Sequence, residues 1–469
     1  MGEANGSGAA VRVLAVSRVA PTPAPAPAGE DSHVKLSFFD TPWIVLPPIQ
    51  RVFLYELPDG DDSEFPAAVA RLKTALAATL ALYLPLAGKL AYVAETEEVV
   101  VDCADDPGVA FVEAEVADDA AGAFDVRRLA GDEAHDIPAF LALVPELDAR
   151  ALPAPVLSVQ ATRLPGSSGG LALGVSVHHA VADGQAVWRF VGAWAAAARD
   201  GSPVTKALPP PHYSRDVIRV PGGDEFARQM LKMVAPNLPV ANATEYDFSQ
   251  RFRLARRTFH LTADDIASLK HRIDALAAAA AAEDGDTSKS TKPVSTFVAL
   301  SALGWTAFVR SKGLAAGDDT YLVFLADLRA RLDPPVGEGY LGNCIKGCLA
   351  TADAGDLLGH RGILAAARAV QAAVAAMAAA PMAGTERWIE RMMQLPFSRL
   401  ANVAASPRFR VYDAADFGFG KPARVELVSM NHDGEMVLVG GRRDGEVQLS
   451  VSLDPARMDA FKAEVLAVD

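Results

Sequence analysis

The segment from 171 to 194 changes its hydrophobic pattern at a single point. Apolar side chains alternate with small or polar ones from Leu171 to Val177, which is typical of a β-strand, and His179 continues the series. Beyond Asp183 the apolar positions recur at helical spacing, at Val187, Phe190, Val191 and Trp194. The pattern therefore predicts a strand, a tight turn and a helix, with His179 at the corner and Asp183 at the start of the helix.

Helix and strand patterns also alternate elsewhere in both halves of the chain. Phe65–Tyr83 has apolar residues at helical spacing, and the β-branched run Val99–Val101 indicates a strand. In the second half, the strand-like runs Glu435–Gly440 and Glu446–Leu453 flank Asp444-Gly445, which is a hairpin signal. This mixed order predicts an α/β fold with large, partly antiparallel sheets.

The clearest break in the pattern lies at Arg199–Pro211, where Gly201, Pro203 and the triple proline at 209–211 disfavour both helix and strand. We predict an N-terminal domain over residues 1–205, a crossover linker over 206–230 and a C-terminal domain over 231–469. A chain of 469 residues accommodates this division, because domains commonly have about 100–200 residues.

Composition and charge narrow the class of partner. Lys and Arg number 44 against 58 Asp and Glu, so the formal charge is −14, and we expect no nucleic acid and no anionic membrane as partner. Polar residues flank or interrupt the Ala-rich runs Ala275–Ala282 and Leu364–Ala380, which indicates soluble helices. Three cysteines are too few for a disulfide framework. We expect a cytoplasmic monomer.

Two motifs carry a resemblance to a known family. The string His178-His179-Ala-Val-Ala-Asp183-Gly184 resembles the HHxxxDG signature of CoA-dependent acyltransferases. Asp416-Phe-Gly-Phe-Gly420 resembles the DFGWG motif of the plant BAHD acyltransferases, with Phe419 in place of Trp. The resemblance extends along nearly the whole chain, through Leu46–Arg51, Leu84–Gly88, Ser295–Phe297 and Asp327–Arg329.

A third motif narrows the resemblance within that family. Tyr340-Leu-Gly-Asn-Cys344 is similar to the YFGNC motif of the anthocyanin and flavonoid (phenolic glucoside) acyltransferases. The resemblance implies two chloramphenicol-acetyltransferase-like domains with an active-site channel between them. It implies an acyl-CoA co-substrate, no tightly bound cofactor and direct attack on the thioester without an acyl-enzyme. It also implies an ion pair between Asp183 and Arg329.

His179 is the candidate general base. Transfer of an acyl group from a thioester to a hydroxyl requires a base that works near neutral pH, and imidazole has an ordinary pKa of about 6.5. An acid that precedes a glycine at a helix start more often fixes a turn, so we assign Asp183 an orienting role. The donors for the tetrahedral oxyanion are not identified, and Asn402–Ser406 is a candidate segment.

Other candidate residues have architectural or donor-binding roles. The Asp416 loop lies between the strand-like segments Phe409–Tyr412 and Arg424–Met430, and Gly418 and Gly420 permit unusual backbone angles there, so the loop is predicted to be architectural. CoA phosphates require a cationic or helix-end site in this acidic chain, and the candidates at one predicted helix start are Lys292, Ser295 and Thr296. Cys344 and Cys348 lack the partners of a zinc site, so no metal is expected.

The sequence thus predicts an O-acyltransferase that transfers a malonyl or hydroxycinnamoyl group to a hydroxyl of a flavonoid, anthocyanin or phenolic glucoside. The donor stays open, because many malonyl-using relatives have a basic residue where this chain has Gln185. One alternative is a condensation-type domain that takes acyl groups from a carrier protein. Another is a catalytically silent binding protein on the same scaffold.

Overall fold

The computed structural model of the protein describes residues 10–24, 32–57, 64–131, 134–164, 169–206, 209–241, 252–283, 293–430 and 432–467. Within these ranges it has the α/β architecture with mixed sheets that the sequence predicts. Two six-stranded sheets carry most of the helices, and a four-stranded sheet lies beside the first.

The first large sheet is built mainly from the N-terminal half. Its strands, in spatial order, are β1 (Val11–Val19), β6 (Val109–Val116), β8 (Leu157–Leu164), β9 (Gly170–Val177), β3 (Ile49–Glu56) and β14 (Arg424–Leu427). Only β6 and β8 pair in parallel. The small sheet has the order β2 (His33–Lys35), β5 (Glu98–Asp102), β4 (Lys89–Val93) and β7 (Ala154–Pro155).

The second large sheet comes from the C-terminal half. Its spatial order is β10 (Ala255–Leu261), β16 (Val447–Leu453), β15 (Glu435–Gly440), β13 (Leu400–Ser406), β11 (Asp319–Asp327) and β12 (Ile345–Asp353). β13 pairs in parallel with both of its neighbours, and the other pairs are antiparallel. The two large sheets are therefore both mixed, as the order of sequence patterns indicates.

The helices cover these sheets with their apolar faces. They are α1 (Glu64–Leu80), α2 (Val126–Leu129), α3 (Ile137–Ala142), α4 (Gly184–Asp200), α5 (Gly223–Val234), α6 (Ala263–Glu283), α7 (Thr296–Lys312), α8 (Ala354–Leu358), α9 (Gly362–Ala379), α10 (Trp388–Met393), α11 (Val411–Ala414) and α12 (Pro455–Leu466). α1 packs against α4 in the first core, and α7 packs against α9 and α12 in the second. α9 is long and apolar enough to cross a membrane, and residues such as Leu364 and Val370 on one of its faces are buried in the second core.

A short segment of the second half joins the first sheet. β14 pairs with β3, with Val425 opposite Phe53, and Tyr412 and Phe417 are buried in the first core. The strand predicted at Phe409–Tyr412 is wrong, because Val411–Ala414 forms a single helical turn that buries the adjacent Val411 and Tyr412 together. The division into domains at 1–205, 206–230 and 231–469 stays a prediction. The structure shows in addition that β14, from the C-terminal half, belongs to the first sheet.

Candidate active site

The HHxxxDG segment forms the predicted strand, turn and helix. β9 ends at Val177, the amide of Val181 donates to the carbonyl of His178 over 3.0 Å, and α4 begins at Gly184. Asp183 caps the helix, since its Oδ1 accepts from the amide of Ala186 over 3.0 Å. The turn thus holds His179 at the end of a buried strand, in the place that the alternating pattern predicts.

Asp183 and Arg329 form a buried ion pair. Two guanidinium nitrogens of Arg329 donate to the two carboxylate oxygens of Asp183 over 2.8 and 3.0 Å, and both side chains are at most 2% exposed. Burial lowers the pKa of Arg329, but the charge and hydrogen bonds of Asp183 outweigh it, so the net shift is upward. Arg329 is therefore always charged, and its bidentate contact orients the Asp183 carboxylate as part of the turn.

His179 lies between an aromatic ring and an amide. Its ring stacks on the indole of Trp43, with centroids 4.2 Å apart and planes inclined by 11°, and its backbone carbonyl accepts from Nδ2 of Asn343 over 2.8 Å. Desolvation lowers the pKa of His179 to about 4, and the nearby charge of Arg51 acts in the same direction. The imidazole is therefore neutral at neutral pH, which is the form that accepts a proton.

A second buried carboxylate, Asp40, is connected to the backbone of this histidine through Asn343. Asp40 is fully buried and accepts from the backbone amide of Asn343 over 2.9 Å, from its Nδ2 over 3.0 Å and from Nε of Arg215 over 3.1 Å. Ser37 adds hydrogen bonds through its amide at 2.9 Å and its hydroxyl at 2.6 Å. Sequence reasoning missed Asp40, Arg215 and the role of Asn343, although Asn343 belongs to the third motif.

A cavity of about 350 Å³ is lined in part by Trp43, the residue on which the His179 ring stacks. Trp388 also lines the cavity, and the centroid of its ring lies 6.0 Å from that of Trp43. The lining is mainly aromatic and apolar, with a polar edge: Phe38, Phe39, Pro42, Trp43, Phe226, Met230, Met233, Ile345 and Trp388, then Gln229, Thr385, Glu386, Arg387 and Glu390. Such a lining suits a ligand that combines an aromatic ring with hydroxyl groups.

The Asp416 loop lies at the opposite end of α4 from the histidine. Asp416 accepts through its carbonyl from Arg199 near the C-terminus of α4, over 3.0 Å. Because about 16 residues of helix at ~1.5 Å each separate Arg199 from Asp183, the loop is about 24 Å from the turn. Gly418 and Gly420 have φ of 90° and 78°, which glycine adopts without strain, so the geometry fits a loop that fastens the second half to α4.

Phe417 and Phe419 show how that loop is anchored. Phe417 is fully buried, with its ring 4.8 Å from Trp194 in an edge-on contact. Phe419, which replaces the tryptophan of the family motif, lies 5.5 Å from Tyr55, also edge-on. The hydroxyl of Tyr55 donates to the carbonyl of Ala415 over 2.6 Å. These contacts fix the loop through first-core residues, away from His179.

The predicted CoA contacts lie at the start of α7. Ser295 is exposed and caps the helix, with its Oγ accepting from the amide of Val298 over 3.2 Å, and half-buried Thr296 is the first helical residue. Lys292 lies outside the described residues. Asn402 pairs with Glu435 within the second sheet. The structure thus brings His179, Asp183 and Arg329 together, whereas the CoA and oxyanion roles stay predictions.

The cysteines and acids form no metal centre in the part of the chain that the structure describes, where no group of three or more His, Cys, Asp or Glu side chains could hold an ion. Cys344 and Cys348 are free and buried. Burial raises the pKa of both thiols, that of Cys348 to about 11. Both therefore stay protonated and poorly nucleophilic at neutral pH.

Comparisons with known proteins agree with this geometry. A model of the Transferase family matches residues 19–467. The chain is 30% identical over 472 residues to phenolic glucoside malonyltransferase 1 of Arabidopsis thaliana, covering 96% of each protein. It is also 30% identical to the malonyl-CoA:anthocyanidin 5-O-glucoside-6''-O-malonyltransferase of the same plant, covering 96% of this chain and 97% of that one.

The fold has solved counterparts as well. The crystal structure of vinorine synthase superposes with a TM-score of 0.69 at 19% identity and covers 98% of both chains. This likeness shows the shared fold. Membership of a family is shown by the family model and by the two malonyltransferases at 30% identity. The chain therefore belongs to the Transferase family, the BAHD acyltransferases that its motifs resemble.

Proposed function

We propose that the protein transfers a malonyl group from malonyl-CoA to a sugar hydroxyl of a phenolic glucoside, with His179 as general base. The observation that carries the proposal is the position of His179, which is partly exposed, neutral and stacked on the indole that lines an aromatic cavity. The two relatives at 30% identity are named for malonyl transfer to glucosides, which supports both substrate classes.

The geometry supports direct transfer in a complex of both substrates. The acceptor hydroxyl gives its proton to neutral His179 while its oxygen attacks the thioester carbonyl carbon. The tetrahedral intermediate then collapses, the C–S bond breaks, and the imidazolium returns the proton to the CoA thiolate. The negative charge of Asp183 stabilises the imidazolium, because it raises the pKa of His179 against the effect of burial.

The surroundings of Arg51 favour an acyl donor whose acyl group carries a carboxylate. The Arg51 residue is only 8% exposed, one of its nitrogens donates to the carbonyl of Gln50 over 2.8 Å, and its buried Nε has no hydrogen-bond partner among the described residues. Burial lowers the pKa of Arg51 to about 9, although the charge of Glu435 raises it, so the guanidinium is charged at neutral pH. This guanidinium lies 6.0 Å over the ring of Trp188, whose indole N–H is buried and has no hydrogen-bond partner among the described residues. The carboxylate of a malonyl group would give both donors an acceptor, whereas a hydroxycinnamoyl group has no such carboxylate.

The cavity supports an acceptor with an aromatic aglycone. Trp43, Phe38 and Trp388 offer ring faces on which a phenolic ring or the C–H face of a sugar packs, and Glu386 and Glu390 offer acceptors for hydroxyls at the edge. CoA would then approach His179 from another side of the channel. Cytoplasmic location and a monomeric state stay predictions from the sequence.

A matrix of donors and acceptors tests the proposal. Purified protein is incubated with malonyl-, acetyl- or p-coumaroyl-CoA and a panel of aryl glucosides and their aglycones, and products are identified by mass spectrometry with thiol release as the rate. We expect malonyl esters of glucosides, and His179→Ala should abolish most of the turnover. Transfer to aglycones alone would refute the acceptor class, and no thiol release from any donor would refute acyl transfer itself.

A further inference from the structure

One wall of the cavity comes from the segment 381–388, which follows α9 and which we call the wall segment. Its residues Thr385, Glu386, Arg387 and Trp388 line the cavity. Three of its backbone amides donate to carbonyls three residues earlier in the chain, over 3.1 to 3.3 Å. These bonds shape local turns but do not tie the wall segment to either large sheet, so its position depends on side-chain contacts.

Lys346 on β12 holds the start of the wall segment. Its ammonium donates to the carbonyl of Pro381 over 2.9 Å and to that of Ala383 over 2.5 Å. The residue is only 8% exposed, so these contacts are shielded from water. Hydrogen bonds from a charged donor are roughly twice as strong as neutral ones, and the ammonium therefore fixes the wall segment to the second sheet.

Gly347, the next residue of β12, carries the other end of the wall segment. A Cβ at Gly347 would lie 2.8 Å from Cε3 and 3.2 Å from Cζ3 of Trp388, so the indole packs directly on the strand backbone, where only glycine leaves room for it. Successive residues of a strand point to opposite faces, and Lys346 and Gly347 thus hold the wall segment from both faces. β12 is the outermost strand of its sheet, which lets the chain pass around its edge.

Trp388 is linked to the candidate base through a second indole. Its ring centroid lies 6.0 Å from that of Trp43, and the centroid of Trp43 lies 4.2 Å from that of His179. Both indoles line the cavity, and they come from opposite halves of the chain. The position of Trp388 therefore sets the space available to a ring bound there, while Trp43 separates it from the imidazole. A displaced Trp388 should affect binding more than chemistry.

We infer that Trp388 is a specificity-determining residue for the aglycone of the acceptor, and that Lys346 and Gly347 are the positioning residues that fix its indole. The inference rests on the proposed function, since it takes the cavity as the place where the aglycone binds. A glucoside with a large flat aglycone contacts Trp388 as well as Trp43, whereas a glucoside with a single phenyl ring packs on Trp43 without needing Trp388.

Gly347→Ala tests the position of the indole, because the added methyl group must displace the ring. The probes are isoquercitrin, a flavonol glucoside, and phenyl glucoside. An aromatic contact changes binding by about 3- to 10-fold, so KM for isoquercitrin should rise by that factor, whereas KM for phenyl glucoside, KM for malonyl-CoA and kcat should change by less than about twofold. Gly317→Ala is the control, since a Cβ there meets no described atom within 4 Å.

A double variant shows whether Gly347 acts through Trp388. Trp388→Ala alone should raise KM for isoquercitrin by about the same 3- to 10-fold factor as Gly347→Ala. In the Trp388→Ala background, Gly347→Ala should have no further effect, because the ring that it displaces is gone. Independent, multiplicative effects of the two substitutions would overturn the inference.

Lys346→Met tests the second positioning residue, because it removes the ammonium but keeps an apolar stem. Pro381 is half-buried and Ala383 is exposed, so water can replace the lost donor and the variant should fold. KM for isoquercitrin should rise as in Gly347→Ala, and Lys346→Arg, which keeps charged donors, should restore it. Lys312→Met is the control, since it breaks an ion pair with Asp433 away from the cavity and should leave every KM unchanged.

Calorimetric titration with isoquercitrin in the absence of any acyl-CoA separates this inference from the proposed function. If the wild type transfers no acyl group but its Kd for isoquercitrin rises in Gly347→Ala and not in Gly317→Ala, the proposed function fails while this inference stands. If transfer occurs and Gly347→Ala and Lys346→Met leave the isoquercitrin KM unchanged, the reverse holds. Equal rises in KM for both glucosides, or no binding of isoquercitrin to the wild type, would also overturn the inference.

Discussion

Removal of one partner of the buried Asp183–Arg329 pair should destabilise the protein strongly. Both side chains are at most 2% exposed. A buried charge that loses its partner costs about 3–5 kcal/mol. After Asp183→Ala, Arg329 keeps the carboxylate of Asp327 at 3.2 Å and the carbonyls of Tyr340 and Gly342 at 3.2 and 2.9 Å. We therefore expect a loss in the free energy of unfolding of about 3 kcal/mol, at the lower end of that range.

A double-mutant cycle measured by urea unfolding tests this value. If the two charges act as a pair, Asp183→Ala combined with Arg329→Met should be no less stable than either single variant, because the double variant leaves no buried charge unpaired and the carboxylate of Asp327, which also loses Arg329, is 38% exposed. The half-exposed pair Arg310–Glu464, at 2.7 Å, is the control, and its cycle should give about 0.2–1 kcal/mol. Strict additivity of the two buried substitutions would refute the reasoning.

A further variant, Asp183→Asn, distinguishes an orienting role of Asp183 from proton transfer. Asp183→Asn keeps the shape of the helix cap but loses the charge that pairs with Arg329. If Asp183 only orients the turn, kcat should fall while the pH dependence of the remaining activity still follows His179. A changed pH profile, with a titration removed by the substitution, would instead make Asp183 a second acid–base group.

The remaining predictions concern His179, the pH dependence, and the two proposed donor contacts. His179→Ala should lower kcat by about 10²–10⁴-fold with an unchanged circular dichroism spectrum, and near-normal turnover would exclude it as base. Burial lowers the pKa of His178 to about 3 and that of His179 to about 4, whereas an unfolded chain takes up these protons near pH 6.5. The free energy of unfolding should therefore decrease as the pH falls from about 6.5 to 3, and a flat titration would contradict the desolvated, neutral state of both rings. Arg51→Gln should raise KM for malonyl-CoA about tenfold, roughly the 1.4 kcal/mol of a weak charged contact, but leave KM for acetyl-CoA unchanged; equal effects on both donors would refute carboxylate recognition. Lys292→Ala should raise KM for acyl-CoA more at low salt than at high salt, and an effect confined to the acceptor would reverse the proposed orientation of the two substrates.

Local patterns predicted the elements that carry the histidine. The alternation from Leu171 to Val177 and the helical stripe after Asp183 involve neighbours in sequence, so β9 and α4 form where the pattern places them. The same reasoning gave a strand at Phe409–Tyr412, where packing into the first core favours a helical turn instead. Periodicity reports which faces are apolar, but it does not report which distant core will cover a short segment.

The hydrogen-bond network around His179 could not be read from such patterns. Asp40 and Asn343 are 303 residues apart, and Arg215 lies in the segment predicted as a linker. A polar residue that is buried by a distant partner looks like any other polar residue in the sequence. The third motif drew attention to Asn343 through resemblance alone, and only the structure shows that its amide reaches both Asp40 and the backbone of His179.

The third motif also explains how the two halves of the chain meet at one histidine. Consecutive backbone amides of Asn343 and Cys344 donate to Asp40 over 2.9 Å and to Asp183 over 3.1 Å, so one short segment of the second half connects the two buried carboxylates beside His179. Gly342 permits this close turn, because a Cβ there would lie 2.6 Å from the ring of Tyr340. The turn that carries His179 comes from the first half, whereas Asn343 and Arg329, which bind this turn, come from the second. The fold thereby couples the arrangement of the halves to the position of the candidate base.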